Sequence, residues 1–220
     1  MSPRSRTLPA RRSAASTEVP LRLGVFGGSF NPVHLGHLLA ADDVGHQLQL
    51  DRVLFVPACR PPHKRGPLAP YRHRLEMTRL AITGRPRLEL CRIEEERPGP
   101  SFTVDTLAQL RALYPGSALY LIVGADQYGE VSSWRQPELL TRLARVVVMS
   151  RPGAARPAPF PGHDPHRVLF RDVIPVAIAA AAIRARLAKG RSVRYMLPVR
   201  VAEYAGRHRL YRSPTTRRIA

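Results

Sequence analysis

The stretch Gly24-Val25-Phe26-Gly27-Gly28-Ser29-Phe30-Asn31-Pro32-Val33-His34-Leu35-Gly36-His37 leaves this chain few ways to fold. Residues 21–26 form a short apolar run that ends in paired glycines. After Asn31-Pro32 an apolar pattern at helical spacing begins (Leu35, Leu38, Leu39, Val44), so the segment reads as strand, glycine turn and helix. Such a junction suits an anion. Gly27 and Gly28 let a bulky group approach the backbone, and the free amides of the helix N-terminus favour negative charge. His34 and His37, three residues apart on the first turn, share one face and point back at that anion.

Two common phosphate signatures are excluded, because neither G-x-G-x-x-G nor G-x-x-x-x-G-K-[ST] occurs in this stretch. A metal centre is not expected either. Asp42, Asp43 and His46 are the nearest further ligand types, and they fall elsewhere on the helix. The spelling from Gly24 to His37 instead resembles that of the nicotinate-nucleotide adenylyltransferases, a nucleotidyltransferase family that joins ATP to nicotinate mononucleotide in NAD biosynthesis. The resemblance implies that His34 and His37 are catalytic and that Gly27, Gly28, Ser29, Phe30 and Gly36 surround ATP, with Asn31 on the mononucleotide.

Residues 52–56 form a buried strand closed by Pro57. The loop after it carries Pro61-Pro62-His63-Lys64-Arg65, rigid backbone presenting cations at the carboxyl end of a strand, where open α/β sheets bind ligands. Residues 71–83 read as a helix with Leu75, Met77, Leu80 and Ala81 inward, and Leu88, Leu90 and Ile93 as the next strand. At Pro100-Ser101-Phe102-Thr103-Val104-Asp105 a helix begins, with Ser or Thr expected to cap it and Asp105 complementing its dipole. Residues 119–123 are apolar throughout, as a central parallel strand buried on both faces should be. They lead into Gly124-Ala125-Asp126, where a carboxylate can meet a ribose hydroxyl or cap a helix. Trp134, the sole tryptophan, lies in the polar setting Ser132-Ser133-Trp134-Arg135-Gln136, which suits a ring offered to a ligand. Residues 145–149 are another strand, closed by Ser150-Arg151-Pro152-Gly153. A proline-rich loop over 152–166 and a strand over 168–173 follow. Two short helices, 178–187 and 195–204, complete the pattern.

The family resemblance extends over residues 21–211 and implies ligand contacts at several of these places. His63, Lys64, Thr103, Trp134 and Arg135 would surround the mononucleotide, Trp134 stacking on its pyridine ring. Gly124, Asp126 and Arg151 would contact ATP. One departure stands out. Where the family has I-S-S-T-x-I-R, hydroxyls at a helix N-terminus and an arginine on the ATP phosphates, this chain has Ile178-Ala179-Ala180-Ala181-Ala182-Ile183-Arg184. Arg184 stays as a catalytic arginine while all three hydroxyls are absent.

Composition narrows the class further. At 220 residues and 44% hydrophobic content, one domain with a sizeable core is expected. Its bounds are residues 21–211, between a basic, disordered extension over 1–20 and a basic tail over 212–220. The net charge is +19, yet lysine occurs only at Lys64 and Lys189. Arginine-rich usage of this kind, much of it in the tails, reads as coding background, and nucleic acid is not expected as a partner. Isolated Cys59 and Cys91 suit a reducing cytosol, and no apolar run reaches membrane-spanning length. The resulting expectation is a doubly wound, Rossmann-like α/β fold of about six parallel strands with ligands near Gly27-Gly28. The reaction that the family resemblance implies is adenylyl transfer from magnesium ATP to nicotinate mononucleotide. The rival readings are another acceptor (nicotinamide mononucleotide or phosphopantetheine) and a weakened nucleotide- or nucleic-acid-binding protein.

Overall fold

The computed structural model describes residues 20–62 and 66–212. The extension over 1–20 lies almost wholly outside them, as do His63, Lys64 and the tail from 213 on. Six strands form one parallel sheet: β1 (Arg22–Gly28), β2 (Arg52–Pro57), β3 (Leu88–Leu90), β4 (Ala118–Gly124), β5 (Arg145–Ser150) and β6 (Val168–Asp172). Their order is β3-β2-β1-β4-β5-β6, and every pairing is parallel. The winding therefore reverses between β1 and β4, and a crevice opens beyond the carboxyl ends of these two strands.

Alternation along the strands builds two cores. Val53, Phe55, Tyr120, Ile122 and Val147 face α1 (Leu35–Gln47), α2 (Tyr71–Ile82), α6 (Ala180–Ala188) and α7 (Val199–Arg207). Leu23, Val25, Leu54, Val56, Leu119, Leu121, Val123 and Val146 face α3 (Thr103–Leu113), α4 (Ala125–Gly129) and α5 (Leu140–Leu143). The apolar runs of β1, β2, β4 and β5 follow from this burial on both faces. Gly24 allows the first core to close over β1. A Cβ there would meet Leu50 Cδ1 at 2.9 Å, Ile122 Cδ1 at 3.0 Å and Val53 Cγ2 at 3.2 Å.

The structure departs from the sequence reading in several elements. β3 ends at Leu90, and Ile93 packs against the second core from a turn closed by Glu95 N–H on Arg92 O. On α2 the fully buried side chains are Arg74, Met77, Thr78, Ala81 and Ile82, while Leu75 and Leu80 are half-buried. Neither Ser101 nor Thr103 caps α3. Phe102 occupies the cap position, and the Ser101 hydroxyl accepts instead from Arg60 N–H at 3.0 Å. The last two helices start later than read, at Ala180 and, after Pro198, at Val199.

Candidate active site

The turn between β1 and α1 is held by its own aromatic ring. Phe30 has a φ of 41° and is 2% exposed. Its ring lies 5.8 Å from Phe26, 5.5 Å from Phe55 and 5.2 Å, edge-on, from His37. A bulky side chain persists in the left-handed region only when its surroundings over-determine it. This aromatic cluster does so, and the turn leaves Gly27 exposed at the mouth of the crevice.

His34 ends the turn at the cap position of α1, and His37 follows one turn on, the two rings stacked at 3.7 Å. His34 N–H donates to His37 Nδ1 at 3.2 Å. With Nδ1 used as an acceptor, neutral His37 carries its proton on Nε2 and can donate from there. Burial lowers the His34 pKa to about 4, and burial together with the neighbouring His34 pushes that of His37 well below the ordinary histidine value. Two neutral imidazoles result. His34 Nδ1 has no hydrogen-bond partner among the described residues, although the side chain is buried.

Two cavities meet at the turn, sharing Gly27, Gly28, Ser29 and Gln127 in their walls. The larger, about 620 Å³, is lined by Phe30, His34, Gly36 and His37 from the turn and α1. Gly124, Asp126 and Arg151 line it from the ends of β4 and β5. Ala179, Ala180, Ala181 and Arg184 close it from α6. Every residue expected at ATP or in catalysis thus falls on one cavity, and the three alanines occupy the cap and first turn of a helix facing the histidines. The smaller cavity, about 260 Å³, is lined by Thr103, Trp134 and Arg135, with Phe102 and the prolines Pro61 and Pro62. Trp134 is half-buried and packs against the second core as well. The Arg135 guanidinium lies 4.8 Å over the Phe102 ring.

Asn31, expected at the mononucleotide, lines the larger cavity, and its side chain is committed to the protein. Nδ2 donates to Pro67 O at 3.2 Å, while Oδ1 accepts from Ala69 N–H at 3.1 Å and from the Tyr211 hydroxyl at 2.8 Å. Its carbonyl accepts from Arg184 Nη1 at 2.9 Å. Sequence reasoning also missed two buried charges behind the site. Arg74, 2% exposed, donates to Ser29 O at 2.7 Å, Ala69 O at 3.0 Å and Cys59 O at 3.3 Å, tying three segments around the turn. Its signal was positional, since Arg74 falls in line with Met77, Thr78 and Ala81 on the apolar face of α2. Glu94, 7% exposed, accepts from Thr106 Oγ1 at 2.7 Å and Cys59 N–H at 3.3 Å and lines the smaller cavity. Nothing in the acidic run Glu94-Glu95-Glu96 marks it as the buried member.

A glycine turn joining a donor-rich cavity to one walled by an indole can hold two ligands, one polyanionic and one with a flat ring, with their phosphates adjoining. Comparison with known proteins identifies the lineage. A cytidylyltransferase-like family model matches residues 25–191. A Thermus thermophilus protein named a probable nicotinate-nucleotide adenylyltransferase is 49% identical over 193 residues, 87% of this chain and 100% of that protein. This chain belongs to the nicotinate-nucleotide adenylyltransferases. A Thermomicrobium roseum member of the family is 43% identical across 87% of this chain and 92% of its own length. The fold agrees with a solved Plasmodium falciparum nicotinic acid mononucleotide adenylyltransferase, complexed with NaAD, at a TM-score of 0.71 and 18% identity. That likeness covers 86% of this chain and 97% of the solved one.

Proposed function

We propose that the protein transfers the adenylyl group of ATP to nicotinate mononucleotide, giving nicotinate adenine dinucleotide and pyrophosphate. What supports this reading most is the meeting of the two cavities at Gly27-Gly28-Ser29, with His34, His37 and Arg184 on one side and Trp134 and Thr103 on the other. An oxygen of the mononucleotide 5′-phosphate attacks the α-phosphorus of ATP. The bond from that phosphorus to the bridging oxygen breaks, and pyrophosphate leaves with the electron pair. The attacking phosphate is already ionised, so no general base is required. Catalysis consists of alignment and charge stabilisation.

The chain's own residues divide that work. Neutral His37 donates from Nε2 to a phosphate oxygen as charge develops there. His34, in the wall of the same cavity, takes a second contact. Arg184 and the free amides of α6 hold the β- and γ-phosphates. Trp134 stacks on the pyridine ring, and Thr103, Arg135 and the α3 amides receive its carboxylate. Magnesium enters as part of the ATP substrate, neutralising phosphate charge. Among the described residues no group of three or more His, Cys, Asp or Glu that could hold a metal occurs. The reaction uses water-soluble nucleotides, and among the described residues no helix is long and apolar enough to cross a membrane. Cys59 and Cys91 are free thiols, in keeping with a reducing cytoplasm.

The reading is tested by incubating purified protein and magnesium ATP with nicotinate mononucleotide, nicotinamide mononucleotide or phosphopantetheine in turn, following pyrophosphate and the product dinucleotide. Nicotinate adenine dinucleotide is the expected main product. Turnover only with another acceptor, or with none, overturns it.

A further inference from the structure

The segment after α7 turns back into the site. Arg209 and Tyr211 have φ of 49° and 64°, the left-handed region that residues other than glycine seldom occupy, and such backbone is found where surrounding contacts enforce it. Leu210 N–H donates to Ala205 O at 2.9 Å and closes the end of the helix. The chain then delivers the half-buried Tyr211 hydroxyl to Asn31 Oδ1 at 2.8 Å, across 180 residues of sequence. Burial raises the pKa of this phenol, against the opposing pull of Arg184 and Arg74, so the group remains a donor.

Asn31 is the junction through which this contact reaches ligand. It is 3% exposed, and its side chain is filled by Pro67, Ala69 and Tyr211 while its carbonyl takes Arg184 Nη1. The contact to Asn31 uses one arm of the guanidinium and leaves the rest of the fork for the larger cavity, which Arg184 lines. We infer that Tyr211 is a positioning residue for the polyphosphate side of the site: its hydroxyl fixes Asn31, and Asn31 aims Arg184. Where the first turn of α6 offers only Ala179, Ala180 and Ala181, the orientation of that one arginine decides more of the phosphate binding than it would beside hydroxyls. The inference rests on the assignment of this cavity to ATP.

Tyr211→Phe removes one hydroxyl and keeps the ring, so it separates positioning from packing. The readouts are the affinity for magnesium ATP alone by calorimetry, the thermal midpoint, and then the two Michaelis constants. ATP binding should weaken about three- to tenfold, the range of one neutral hydrogen bond, with the mononucleotide KM changed by less than about twofold. In an Arg184→Ala background the same change should cost no further ATP affinity, because the group it aims is gone. Unchanged ATP affinity in Tyr211→Phe, with or without a lower thermal midpoint, would make the contact a mere tether and overturn the inference. An equal loss in both backgrounds overturns it too. ATP binding needs no acceptor, so failure to turn over nicotinate mononucleotide would count against the proposed function and leave this result readable.

Discussion

His37 and Arg74 carry opposite lessons about single residues. The histidine pair was legible in sequence because three-residue spacing on a helix sets a shared face, and the rings do stack at 3.7 Å. Sequence could not supply the tautomer, which depends on one backbone N–H reaching Nδ1. His37→Ala should lower kcat about a hundredfold while changing ATP affinity much less, as expected for a donor aimed at developing charge. Retention of most turnover would reduce it to a helix cap. Both rings also bear on stability. With the His34 pKa lowered from 6.5 to about 4, the unfolded chain binds a proton between those values that the folded chain refuses. Stability of the ligand-free protein should therefore fall as pH drops from 6.5 toward 4, seen as a declining thermal midpoint whose slope His34→Asn lessens, His37 supplying the rest. Arg74 had only its place on the apolar face of α2 to mark it as buried. It satisfies three carbonyls from a buried position, so Arg74→Ala should destabilise by about 3 kcal/mol or more in urea unfolding, and Arg74→Lys by less.

Helix α6 opens on alanines where the family resemblance implies hydroxyls. Ala179 sits at the cap with extended backbone (φ −115°, ψ 137°) and no side-chain capping bond. Ala179→Ser should raise stability by up to about 1 kcal/mol through the missing cap, whatever its effect on ligand. The combined change Ala179→Ser, Ala180→Ser and Ala181→Thr should lower KM for ATP about threefold or more, each new hydroxyl adding a neutral hydrogen bond. An unchanged KM with raised stability would mean that these side chains cap the helix and miss the phosphates. Other helix ends were harder to read. Phe102 caps α3 because Ser101 is drawn off to Arg60 N–H on the loop after β2, a contact spanning 41 residues. Local propensity cannot anticipate a cap lost to a distant partner.

Across the whole molecule the buried strands and the points where they stop follow from apolar runs that end in glycine: Gly27-Gly28 on β1 and Gly124 on β4 finish the two strands that flank the crevice. Strand order and register, by contrast, come from long-range pairing, as does the contact of Tyr211 with Asn31 in the turn after β1. On the proposed function the two cavities take different substrates. Trp134→Ala should raise KM for the mononucleotide about tenfold and leave that for ATP unaltered, as loss of a stacking face and its burial would. A lower thermal midpoint with unchanged KM would make the indole part of the core it touches. The smaller cavity combines this indole with Arg135, Thr103 and the N-terminus of α3, donors that suit a carboxylate, beside the carboxylates of Glu94 and Glu130. The decisive measurement is the ratio of kcat/KM for nicotinate mononucleotide to that for the amide, with saturating magnesium ATP and the unaltered protein. A ratio of about tenfold or more in favour of the acid is expected, the scale of one charge-assisted contact. Parity between the two, or no turnover of the acid, would contradict the account.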